Sequence, residues 1–101
     1  MRLIALFNLK PGVTVEQYEH WARTTDIPTV KTLASVADFQ VMKTTGVMGS
    51  DAAPPYQYIE IIDVGDMDQF GQDVATPAMQ AIAAAFQSLA DVTFLTTQAV
   101  A

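Results

Sequence analysis

Hydrophobic and polar residues alternate along four stretches of the chain and follow helical spacing between them. Residues 55–64 carry the strongest strand pattern. Aromatic and β-branched residues fill it, Pro54 and Pro55 bound one side, and Gly65-Asp66 bound the other. Alternation puts Tyr56, Tyr58, Glu60 and Ile62 on one face and Gln57, Ile59, Ile61 and Asp63 on the other. Both faces are apolar, which predicts a central strand covered on both sides. Residues 2–10 repeat the pattern, with Leu3, Ala5, Phe7 and Leu9 on one face and Ile4 and Leu6 on the other, until Pro11-Gly12 ends the run. Residues 38–48 predict another strand, with a bulge or bend at Gly46, and residues 92–97 predict the last.

Helical signals fill the intervals. Thr14 with Gln17 makes a capping box, and Val13 and Tyr18 are spaced for a hydrophobic staple. Val15, Tyr18, Ala22 and Thr25 form the inward stripe, with Trp21 at its edge. Pro28 predicts a break or kink around Asp26-Ile27, followed by a short helical piece reaching Ala34 with Val30 and Leu33 inward. Asp66 with Gln69, and Thr76 with Pro77, start two more helical pieces. The second of these has Met79, Ile82, Ala83, Phe86 and Leu89 as its apolar stripe. The order is β-α-β-β-α-β, the ferredoxin-like α+β arrangement, with residues 1–101 as one domain. Right-handed crossovers put the third strand between the first and second and the fourth outside the first, making a four-stranded antiparallel sheet.

Composition adds a partner to this picture. Half of the residues are hydrophobic and 16% are charged, an apolar excess for so short a chain. Both helical segments cover one face of the sheet, leaving Leu, Ile, Tyr and Phe side chains bare on the other. A second copy related by a two-fold axis would cover them, so a homodimer through the sheet face is expected, with the space between the sheets as a candidate cavity. The net charge of −6 and five scattered basic residues argue against nucleic acid. The absence of cysteine excludes disulfides and thiolate chemistry. The N-terminus reads as a strand and not a signal peptide, and no run is long enough for a bilayer, so no membrane association and a cytoplasmic location are expected.

Glu60 is the first candidate for chemistry. A carboxylate on an apolar strand that faces a cavity has a raised pKa and can act as a general acid or base. The alternative is a pair with Arg2, Lys10 or Lys43 at the sheet surface or interface. Tyr58, on the same face, could donate a hydrogen bond to a substrate oxygen or serve as an interface aromatic. Tyr56 lies nearer the strand end. Arg23 and Asp26, three residues apart on a helix, could form a fixed pair whose guanidinium meets an anionic group at the pocket mouth. They could equally be a surface pair, with Asp26 as a cap. Trp21 suits a ligand platform or the core. His20, the only histidine, shares a solvated helix face with Glu16, so no metal site is expected. There is no P-loop, GxGxxG or GxSxG, so no cofactor is expected either.

The first strand with Pro11-Gly12, the capped helix with Tyr18 and Trp21, and the Asp26-Ile27-Pro28 break resemble the dimeric α/β-barrel superfamily. More closely, residues 21–30 (WARTTDIPTV) and 55–60 (PYQYIE) resemble the RedY-like, HapK-type family. The resemblance implies a homodimer with a barrel-like interior and a place in bacterial secondary metabolism, in clusters making prodigiosin-like pigments. It implies a cofactor-free enzyme or ligand-handling protein that binds an apolar aromatic intermediate in the cavity between sheet and helices or between the paired sheets. A binding or accessory module with a filled core is the alternative. Many superfamily members carry a histidine just ahead of the helix-breaking proline. Asp26 holds that place here.

Overall fold

The computed structural model describes residues 1–101. The elements are β1 (Arg2–Leu9), α1 (Val15–Trp21), a π-helical turn (Ala22–Asp26), α2 (Ile27–Val30), β2 (Val36–Lys43), β3 (Tyr58–Val64), α3 (Met67–Val74), α4 (Pro77–Leu89) and β4 (Ala90–Thr96). They form a four-stranded sheet in the order β2-β3-β1-β4, with every neighbouring pair antiparallel. The expected topology is therefore present. The two strands with apolar residues on both faces, β1 and β3, take the centre.

Caps fix the helix starts. Thr14 Oγ1 accepts from the Gln17 N–H at 3.1 Å, and Asp66 Oδ1 accepts from Asp68 and Gln69 at 3.0 and 3.1 Å. Thr76 accepts from Met79, with Pro77 at the start of α4, where its missing donor leaves nothing unpaired.

Several boundaries differ from the sequence reading. β3 starts at Tyr58: the Gln57 N–H is shared between the Phe7 carbonyl and the Asn8 side-chain oxygen, and the Asn8 amide donates to the Pro55 carbonyl, so the ladder gives way to side-chain bonds there. β2 ends at Lys43, so Gly46 lies outside it. The register shift falls instead between Val36 and Asp38. β4 begins at Ala90, directly after α4. Pro28 does not break the first helical segment. The chain widens into a π turn, in which the Ile27 N–H reaches the Ala22 carbonyl, and Pro28 then sits in the first turn of α2. That helix ends at Val30, short of Ala34.

Leu3, Ala5, Phe7, Phe39, Tyr58, Glu60, Ile62 and Val64 are buried between the sheet and the helices. They pack in two groups. One holds Leu3, Val30, Phe39, Ile62, Val64 and Met79; the other holds Phe7, Tyr18, Ala22, Tyr58, Phe86 and Ala90. On the opposite face Ile4, Leu6, Ile59 and Ile61 are half-buried, and Met42 and Leu95 are 45% and 43% exposed. That face is aliphatic. The tyrosine and phenylalanine side chains expected there are not on it, because Phe7, Phe39 and Tyr58 point under the helices. No helix is long and apolar enough to cross a membrane.

Candidate functional site

Glu60 occupies the seam between the two apolar groups, with Tyr58 in one and Ile62 in the other. Across the sheet its neighbours are Val41 on β2 and Ala5 on β1. It is 3% exposed and makes no hydrogen bond or ion pair. The basic residues that could have paired with it are elsewhere. Arg2 binds Asp63 at 2.8 Å and Lys43 binds Glu19 at 3.0 Å. Glu60 also faces the helices and not the bare sheet face, so the space it lines is within one chain and not between paired sheets.

That space is a cavity of about 150 Å³ under the helices. Its walls are mostly apolar, including Phe39, Met79, Ile82, Phe86 and Phe94, and its two polar residues are Glu60 and Asp26. Asp26 arrives there through the π turn. Tyr18, Ala22, Asp26 and Val30 are all buried, spaced by four residues. A row at that spacing drifts about 40° per step around an α-helix, and the wider π turn takes up part of the drift. The Asp26 side chain caps nothing, and its Oδ2 is enclosed with no partner. The anticipated pair with Arg23 does not form, because Arg23 points outward and binds Glu19 at 2.9 Å.

Burial dominates the electrostatics. It pushes the Asp26 carboxyl up to about 6. It pushes Glu60 up to about 8, and the Asp26 charge adds to the rise. The Tyr18 hydroxyl is enclosed and unpartnered, and its pKa is raised by burial and then by Glu60 and Asp26. Two acids in one apolar pocket with separated pKa values are the arrangement that assigns a proton donor and a proton acceptor. Near neutral pH Glu60 holds its proton and Asp26 has mostly lost its own.

The other sequence candidates lie apart from this pair. Tyr58 is 2% exposed and donates from its hydroxyl to Glu19 Oε2 at 2.7 Å. It lines a second, more open cleft of about 170 Å³ with Glu19, Arg23 and Lys43. Burial and the Glu19 bond raise the Tyr58 pKa, while Tyr58, with Lys43 next, lowers that of Glu19. Trp21 stacks on Phe86 at 6.0 Å, behind the cavity wall. Tyr56 is 37% exposed and outside the sheet ladder. Sequence reading passed over Glu19 and treated Tyr18 as core only. The four-residue spacing of Glu19 and Arg23 was the available signal for the first. No group of three or more potential metal ligands comes together.

Known proteins sharpen this picture. The family model described as REDY-like protein HapK matches residues 1–100. The crystal structure of HapK from Hahella chejuensis superposes with a TM-score of 0.73 at 26% identity, covering 100% of this chain and 95% of that one. A dimeric ferredoxin-like protein of unknown function from Thermobifida fusca has a TM-score of 0.67 at 24% identity, covering 93% and 85%. SnoaB, a cofactor-independent oxygenase from Streptomyces nogalater, has a TM-score of 0.66 at 18% identity, covering 98% and 93%. No protein of curated function matches the chain. By its family match over nearly the whole length, the chain belongs to the REDY-like HapK family.

Proposed function

We propose that the protein binds an apolar, aromatic small molecule in the cavity beneath its helices, and that Glu60 and Asp26 move a proton on it. The observation that carries this reading is the pair of unpartnered, buried acids lining one apolar cavity. Uncompensated buried carboxyls cost stability, so a fold that keeps two of them together points to a use. Glu60, protonated near neutral pH, is the general acid; Asp26, mostly ionised, is the base. The HapK relationship and the SnoaB-like fold fit a small-molecule role. The resemblance to proteins of pigment clusters makes an intermediate of bacterial secondary metabolism the proposed ligand.

Dimerisation is part of the proposal. The aliphatic face formed by Ile4, Leu6, Ile59 and Ile61 is left without a cover by the helices, and a second copy would bury it. The Thermobifida fusca neighbour is described as dimeric, which supports this reading. The rival, a non-catalytic module with a filled core, is less well supported because an unfilled cavity of about 150 Å³ lies beside Glu60.

Metabolite profiling of a deletion strain tests the role. The deletion should accumulate an aromatic intermediate, and the wild-type gene but not Glu60→Gln should clear it. Full rescue by Glu60→Gln would remove Glu60 from the mechanism.

A further inference from the structure

We infer that the cavity selects a ligand of about one aromatic ring that carries a protonated nitrogen, held by Asp26 and Glu60. This deepens the function proposed above and rests on its placing of the ligand in that cavity. Size sets the first limit. A closed apolar cavity of about 150 Å³ accommodates benzene, and this one, open on one side, has about the same volume. Drug-sized ligands occupy pockets of roughly 300–1,000 Å³. A single ring, or one ring of a larger molecule that continues through the cavity mouth, therefore matches this space.

Polarity sets the second limit. Every polar side chain lining the cavity is a carboxyl, and no lysine, arginine or histidine lines it. The ionisable groups around the acids are Tyr18 on α1, Asp26 at the end of the π turn and Glu60 on β3. An anionic ligand would meet like charge in an apolar enclosure, which is strongly unfavourable. A neutral ring would leave the Asp26 oxygens as unpaired as they are now. A monocation supplies donors to oxygens that have none and compensates the ionised acid. Charge-assisted bonds of that kind are about twice as strong as neutral ones.

Three probes of one shape test the inference: benzylamine, benzyl alcohol and benzoate, each titrated calorimetrically at neutral pH. Benzylamine should bind at least about tenfold more tightly than benzyl alcohol, the step that one charge-assisted bond supplies. Benzoate should bind least. Glu60→Gln and Asp26→Asn should shrink the preference for benzylamine. Ala83→Trp, at an exposed position on the cavity rim, should block benzylamine binding and locate it. Equal binding of amine and alcohol, or a preference for benzoate, overturns the charge selection while leaving the cavity reading intact. Failure of all three probes, or binding untouched by Ala83→Trp, overturns the cavity reading as well. The wild-type comparison decides the charge selection even if a variant fails to fold.

Discussion

Asp26, at the end of a π turn, and Glu60, at the middle of a central strand, line the same apolar cavity without a basic side chain between them. Neither acid has a hydrogen-bond partner. Burial favours the neutral form of both, the Asp26 charge adds to the rise at Glu60, and this sets the pH behaviour of the pair.

Stability should fall as pH rises through the range of this pair. The folded values of about 6 for Asp26 and about 8 for Glu60 lie above the ordinary 3.8 and 4.5, so the native state binds more protons than the unfolded chain. The Glu60 contribution is complete below about pH 4.5, declines from there and is wholly lost as pH climbs past 8, on the order of 5 kcal/mol in all. At the acid end the sign reverses. Glu19 and Asp73 have lowered values, from Tyr58 and Ser35 respectively as the leading hydrogen-bond donors, so their stabilisation is lost as pH drops through their folded values. Urea midpoints measured between pH 3 and 9 should therefore peak on the acid side of neutrality. A midpoint that keeps rising to pH 9 would contradict the burial of Glu60.

Glu60→Gln should hold stability level below about pH 4.5 and raise it progressively above that, in full past pH 8, since the amide matches the protonated carboxyl in shape and never ionises. Turnover should drop by about two to four orders of magnitude if Glu60 is the proton donor. A denaturation midpoint and a turnover assay on one variant check both. A heavy stability loss with turnover intact would leave Glu60 as a structural residue.

The strand periods and caps made the topology legible, and Glu60 stood out because a charge in an apolar strand has few neighbours to satisfy it. Asp26 was harder to read. Its spacing from Arg23 suits a surface ion pair on an α-helix, and only the π turn brings it in line with Tyr18, Ala22 and Val30. Tyr58 was legible as a buried aromatic, but its partner Glu19 comes from another element, and no local spacing reveals that contact. Tyr56 lay two residues ahead of the strand because Asn8 ends the ladder with its side chain.

Tyr58→Phe should cost about 1.5–3 kcal/mol, the range for a hydrogen bond to a charged group, because the Glu19 carboxylate loses its Tyr58 donor. Turnover should change little, since that hydroxyl is committed outside the Glu60 cavity. Chemical denaturation and an activity assay check the two halves separately. A large loss of turnover with stability intact would return Tyr58 to the reaction.

Ala5→Leu should destabilise by about 1–3 kcal/mol through overpacking. Ala5 is fully buried on the helix-covered face and pairs with Glu60 on one side and Phe94 on the other. Thermal denaturation reads the loss. An unchanged melting temperature would mean that the seam has room to spare.

Ile61→Lys should leave the chain folded and turn a dimer into a monomer, because it puts a charge at the centre of the aliphatic face beside Ile4. Light scattering at micromolar concentration checks it. A wild-type chain that is already monomeric would remove the dimer from the account.

The most direct test of the acid pair is a carbon-13 NMR titration of the Asp26 and Glu60 side-chain carboxyls, with and without bound benzylamine. The account predicts midpoints near 6 for Asp26 and near 8 for Glu60 in the free protein, both displaced downward by the cation. Midpoints for both groups at ordinary carboxyl values, unmoved by the ligand, would contradict it.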